Sequence, residues 1–407
     1  MSLGDKRNGS PIKKLTLCLT LLLVVIFGSA QAWCAEGEND EDISGDIISS
    51  QTDSDGINKI EEQLNKFSRE DEAGLLEGYD PRDLIKDAAS GKFEFNMKSI
   101  ADNVLRFLFK ELYQNIGLLV KIIVLVILCA LLKNLQTSFM SESVGETAFF
   151  VCYIVIVSVL MVSFSTAMSM GMEIIDSMVG FMYATVPVLI TLLVTGGSIT
   201  TGGIFQPLML MVVEVSATVI KNLFMPLIFL SAILSIVNNI SDKIQLSRLT
   251  ALIKQITGWA LGAILTVFIA VVSLQGSMGA VVDGVTSKAA KFAISTFIPI
   301  VGKTLSDAAD TVIGCTLLIK NAAGLAVMVG VILICIAPLL KILALVVLYK
   351  SASALLEPIS EKRITNCINE VAGSMIYIFS LSASVAFMFL ISVTALISAG
   401  NMSAMIR

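Results

Sequence analysis

Beyond residue 112 the chain is a succession of apolar runs, each about as long as a bilayer is thick. A membrane-spanning α-helix needs ~20 predominantly apolar residues. Hydrocarbon offers no water to satisfy backbone N–H and C=O groups, so the spanning structure must satisfy them internally. The runs fall at about Ile116–Leu132, Ala148–Met168, Met178–Val194, Leu208–Val237 and Trp259–Leu274, then within Ala322–Tyr349 and within Ala372–Ala399. Composition points the same way. The mean hydropathy is +0.84 and only 15% of the 407 residues are charged, where a soluble domain has about 25%. The fold class this predicts is all-α: a polytopic helical integral membrane protein of six to eight spans.

The N-terminal part divides from the rest by charge. Lys6, Arg7, Lys13 and Lys14 precede the apolar run Leu15–Phe27, and Ala30-Gln31-Ala32 follows it. That is the layout of a signal peptide over residues 1–32, with cleavage expected after Ala32 and an uncleaved anchor as the alternative. Residues 33–112 hold 9 Lys/Arg against 20 Asp/Glu, a net of −11. They read as an acidic extracytoplasmic segment, partly disordered. Within it, Ile57, Ile60, Leu64 and Phe67 recur at helical spacing. Residues 113–407 form the multi-pass membrane domain, with a net of +3. The acidic segment, and the lack of a basic patch elsewhere, argue against nucleic acid as a partner.

Several runs depart from simple spans. Ile100, Val104, Phe107 and Leu108 mark an amphipathic face ahead of the first span. Leu208–Val237 is 30 residues long, which predicts either one tilted, kinked helix or a re-entrant pair, broken near Lys221-Asn222 and Pro226. Thr195–Gly203 is a charge-free, Gly-rich link suited to close helix packing or a re-entrant turn. Between 276 and 321, Met278, Val282, Val285, Ala289 and Phe292 oppose Asp283, Ser287, Lys291 and Ser295. That pattern predicts an interfacial amphipathic helix or the wall of a wet cavity. Lys303, Asp307 and Asp310 continue the polar stripe. Lysines and arginines flank both ends of the Trp259–Leu274 run, so the positive-inside rule does not fix the topology. Pro187 and Pro226 echo Pro299 and Pro338 at one constant offset. An internal repeat and coincidence fit those few positions equally.

Candidate functional residues are the ionisable groups in or beside the apolar runs. They are Lys121, Glu173, Asp176, Glu214, Lys221 and Lys341, joined by Asp283, Lys291, Asp307 and Asp310 of the polar faces. A charge near the centre of a bilayer costs about 2.5–3.5 kcal/mol on insertion scales, so it turns to a partner or to water. The functional reading is a lined pathway or an assembly contact. The plain structural reading is snorkelling or packing. Glu214 and Lys221 are seven residues apart on one run. A continuous helix puts them on one face but two turns apart, so each needs another partner. With no histidine in the chain, the usual general base and the commonest metal ligand are missing. None of the seven cysteines forms a CxxC pair. No catalytic, cofactor or metal site is expected, and the chain does not read as an enzyme.

The later sequence resembles the stage III sporulation protein AE family of endospore-forming bacteria. Met225–Val237 carries the likeness, with Asp283-Gly284, Lys288, Lys291-Phe292, Phe297-Ile298-Pro299 and Gly302. It continues through Asp307–Ile313 and Leu317–Asn321 and covers about residue 93 to the end. The resemblance implies a multi-pass protein of the mother-cell membrane around the engulfed forespore. It implies as partners the other stage III sporulation membrane proteins, in a channel-like complex spanning both membranes and needed for late forespore gene expression. It carries no catalytic residue. The lipid bilayer and a homo-oligomer are further expected partners. A stand-alone secondary transporter and a passive membrane scaffold are the alternative readings.

Overall fold

The computed structural model describes residues 55–69, 85, 88, 97–139, 142–240, 246–297 and 302–406. The expected signal peptide and the start of the acidic segment lie outside them. Every element among the described residues is helical. They are α1 (Asp55–Arg69), α2 (Met97–Phe139), α3 (Glu142–Thr195), α4 (Ile199–Val219), a π turn (Ile220–Phe224), α5 (Met225–Asn238), α6 (Ser247–Phe297), α7 (Gly302–Leu356) and α8 (Lys362–Ile406). Because α4, the π turn and α5 are continuous, six stretches among them are long and apolar enough to cross a membrane.

Two runs that hydropathy separates are one helix. Glu173 and Asp176 interrupt the apolar pattern between the Ala148–Met168 and Met178–Val194 runs, yet α3 runs unbroken through both. Charges lower hydropathy without breaking the i→i−4 ladder, so the expected second and third spans are a single element. Pro187 sits inside it, and the Thr191 hydroxyl donates to the Pro187 carbonyl at 2.9 Å. In the same way, the amphipathic stretch after 276 is not a separate helix but the continuation of α6. The Ile100–Leu108 face opens α2, whose Phe107 packs on Val329, Leu333, Ala337 and Leu340 of α7. Leu208–Val237 is continuous rather than re-entrant. Its predicted break at Lys221-Asn222 is the π turn, a widening of one helix.

The six stretches of spanning length run alternately up and down the bundle. At one end of the bundle the Tyr153 hydroxyl donates to the Ile236 carbonyl and Lys254 meets Glu370. At the other, Asp283 meets the start of α4 and Lys320 reaches Ile397. α8 is the central helix, with 78% of its most apolar window buried, against 17% for both α2 and α6. Met375, Ile378, Val385, Met388 and Phe389 of α8 fill the middle of the bundle.

Glycines permit the closest approaches. An added Cβ at Gly171 would lie 2.7 Å from Ile378 Cγ2 and 3.0 Å from Ser382 Oγ. The Ser382 hydroxyl donates to the Gly171 carbonyl at 3.2 Å. Small residues at a helix contact gain dispersion energy through such proximity where lipid removes any hydrophobic drive. At the Gly-rich link, Ser198 N–H bonds Leu193 O and Gly197 N–H bonds Val194 O, with Gly197 at φ 83°. This is a Schellman termination, which needs a left-handed residue. It turns the chain directly from α3 into α4. α1 lays Ile57, Ile60 and Leu64 against the bundle, with Leu64 in the space above Gly330.

Candidate functional site

The most distinctive chemistry lies on the α3–α4 hairpin. Lys221 Nζ donates to Asp176 Oδ1 and Oδ2 at 2.6 and 2.7 Å. Two turns along, the Tyr183 hydroxyl donates to Glu214 Oε2. Asp176 and Tyr183 are seven residues apart on α3, as Glu214 and Lys221 are on the facing element. The helices are antiparallel, so the two intervals coincide and make two polar rungs about 10 Å apart. These are the partners that Glu214 and Lys221 need. The first is an ion pair, the second a phenol held to a carboxylate. Both rungs are on the outside of the bundle. Asp176 keeps 59% of its side chain exposed and Tyr183 45%. Glu173, one turn from Asp176, is exposed on the same stripe.

Asp283 takes a different place from the one its amphipathic pattern predicts. It does not face water; it is 3% exposed. Its Oδ1 and Oδ2 accept the backbone N–H groups of Thr200 and Thr201, each at 2.8 Å. The first N–H groups of a helix have no partner inside it, and the aligned peptide dipoles favour an anion there. Asp283 therefore caps α4 from α6. Gly279, one turn earlier, lets the helices touch, because a Cβ there would lie 2.6 Å from Thr201 Oγ1. Burial by itself raises the carboxyl's pKa, but the hydrogen bonds from Thr201 and Thr200 outweigh it and hold the group below the usual carboxylate range.

The structure brings Lys291 and Asp310 together at 2.6 Å, closing the α6–α7 hairpin. Asp307 is exposed nearby on α7, and the side chain of Lys303 lies outside the described residues. Lys121 is exposed on α2 and Lys341 half-buried on α7. Lys320 is a buried charge that sequence reasoning missed. Lys320 is 1% exposed, and its Nζ donates to the Ile397 carbonyl at 2.9 Å and to Asn401 Oδ1 at 3.4 Å. Gly400 makes room for it, since a Cβ there would fall 2.1 Å from the amine. The sequence signal is slight: a lysine followed by asparagine at the edge of an apolar run, which reads as a flanking charge. Lys254 and Glu370 pair at 2.7 Å at the opposite end. Among the described residues, no group of three or more His, Cys, Asp or Glu is placed to hold a metal ion.

A buried capping carboxylate, a buried lysine on carbonyls and two exposed polar rungs make an arrangement for assembling helices and contacting polar surroundings. Known proteins now bear on it. The family model described as stage III sporulation protein AE matches residues 79–400. The chain belongs to the stage III sporulation protein AE family. Stage III sporulation protein AE of Bacillus subtilis (strain 168) is 35% identical over 404 residues, which is 97% of this chain and 100% of that protein. No solved structure matches. Within the family's matched region lie both rungs, Asp283, Lys320 and the Lys291–Asp310 pair. The family name is that of a sporulation protein and not of an enzyme class. With six helices of spanning length, this member is a multi-pass membrane protein of sporulation.

Proposed function

We propose that the chain is a membrane-embedded subunit of a channel-like complex that joins mother cell and forespore across the two membranes between them. Late forespore gene expression depends on it in this reading. The supporting observation is family membership over almost the whole chain, together with a bundle that carries ionisable rungs on its exterior rather than in its packed centre. A subunit needs polar groups where it meets partners or a shared lumen, whereas a solitary carrier places them at a site among broken helices. Here α3, α4 and α7 continue through Pro187, Pro207 and Pro338. Residues 1–32 direct export, residues 33–112 lie outside the membrane on the side facing the forespore, and residues 113–407 sit in the mother-cell membrane.

The test is affinity capture of the tagged chain from sporulating cells in mild detergent, with proteins identified by mass spectrometry. Other stage III sporulation membrane proteins are expected, and deletion of the chain is expected to silence a late forespore reporter. Recovery of the chain alone, with solute uptake by liposomes holding only this protein, would replace the reading with a stand-alone transporter. Full sporulation after joint neutralisation of Glu214, Asp307 and Asp310 would replace it with a passive scaffold.

A further inference from the structure

Among the described residues, none covers the stripe that carries the rungs. Glu173, Asp176, Gly180 and Tyr183 follow one another on α3 at intervals of three, four and three residues, and all are exposed. That spacing keeps them in line along a helix. Glu214 and Lys221 form the adjoining stripe on α4 and the π turn. Both stripes lie in stretches of spanning length and high hydropathy. Lipid tails cannot solvate a carboxylate or an open ion pair, so the stripe meets water or protein. The packed centre around α8 lies on the other side of these helices.

We propose that this stripe is where two copies of the chain meet side by side in the membrane. Symmetry and charge carry the inference. Copies in one membrane share an orientation, so the axis relating a pair runs along the membrane normal. Rotation about it keeps every group at its own height, and a twofold axis makes the contact isologous. It sets the α3 edge of one copy against the α4 edge of the other. At the first rung the α3 edge carries Asp176 and the α4 edge carries Lys221, so acid faces amine in both directions. At the second rung Tyr183 is on the α3 edge and Glu214 on the α4 edge, so a donor faces an acceptor, again in both directions. Neither rung sets like charges against each other.

The face is therefore complementary to itself, and a partner of other sequence would have to reproduce this order of donors and acceptors at the same heights. Glu173, one turn from Asp176, adds a second carboxylate beside the rung at which the other copy's Lys221 stands. Gly180 lies between the rungs, and an added Cβ there meets nothing within 4 Å, which leaves room for backbones to approach. This inference goes beyond the assignment to a complex and stands without it.

The experiment introduces Gly180→Cys and, separately, Val267→Cys, which is 62% exposed on α6. Membranes holding each variant or the parent chain are treated with a mild oxidant and run on non-reducing gels. Gly180→Cys is expected to give a dimer band several-fold stronger than either control, and the purified parent chain in lipid nanodiscs is expected to weigh as two copies. Cross-linking of Gly180→Cys no stronger than that of Val267→Cys would overturn the proposal. So would monomers only in nanodiscs, or a cross-link only to a different protein. The nanodisc measurement uses the chain alone, so its failure is distinguishable from failure to capture other stage III proteins.

Discussion

Asp283 accepts the backbone N–H of Thr200 at 2.8 Å across 83 residues of sequence, and the neighbouring N–H of Thr201 through its other oxygen. One side chain thereby joins the far part of α6 to the first turn of α4. Removing such a cap costs about 1 kcal/mol. Asp283→Ala is expected to lower the melting temperature of the detergent-solubilised protein, and Asp283→Asn to do so less, since it keeps one acceptor but loses the charge. The pH dependence follows from the lowered carboxyl pKa. A group depressed in the folded state contributes its stability above its unfolded pKa and loses it as pH falls through the folded value. The difference between wild type and Asp283→Asn should therefore hold from about pH 8 to pH 5 and narrow only at more acid pH. A difference that vanished between pH 7 and pH 5 would contradict the cap.

The Asp176–Lys221 pair predicts an asymmetry between single and double neutralisation. Lys221→Met leaves the Asp176 carboxylate without its counter-charge in a stretch of spanning length. The double variant Asp176→Asn with Lys221→Met removes both charges. The amount of monodisperse protein recovered by fluorescence-detected size exclusion should fall for the single change and return for the double one. Equal recovery from both would mean that the pair carries no structural weight.

Gly400 and Lys320 form a coupled position. Gly400→Ala puts a Cβ where the amine now sits, 2.1 Å from Nζ, and so drives Lys320 off the Ile397 carbonyl. With Lys320→Met in place, the same alanine meets a flexible apolar chain instead. A double-mutant cycle on thermal stability should give an interaction energy of about 1–3 kcal/mol between the two sites. Additive effects would show that the lysine and the glycine are independent.

At the α3–α8 crossing the obstacle is a branched side chain. Gly171→Ala would meet Ile378 Cγ2 at 2.7 Å, and overpacking of this kind costs about 1–3 kcal/mol. Ile378→Leu removes that methyl while keeping the volume, so it should recover much of the loss. Thermal melts of the three variants check this, and an unrecovered double variant would place the strain elsewhere.

The helical membrane class was legible because apolar length and the demand for internal hydrogen bonds leave few other folds. Span boundaries were less legible. Glu173 and Asp176 end an apolar run but not a helix, and hydropathy measures only the first. The needs of Glu214 and Lys221 were readable, but their partners lie 31 and 45 residues away. The matching interval between Asp176 and Tyr183 was the available clue. Asp283 shows the limit of periodicity: a polar position on an amphipathic face suggests water, while the surface it meets is a row of amides that no pattern of side chains reveals. Lys320 was hidden for a related reason, since a lysine at the edge of an apolar run looks like a flanking charge until the carbonyl of Ile397 is placed against it.

Six is an even number, and that parity decides where fused reporters would find themselves. Met97 opens α2 at the end of the bundle where Ile406 closes α8, while the Glu357–Glu361 turn between α7 and α8 lies at the other end. A fluorescent protein attached behind Ile406 therefore samples the compartment that receives the chain ahead of Met97, and an insertion at Glu357–Glu361 samples the opposite one. A redox-sensitive or folding-sensitive fluorophore should light up in only one of the two positions.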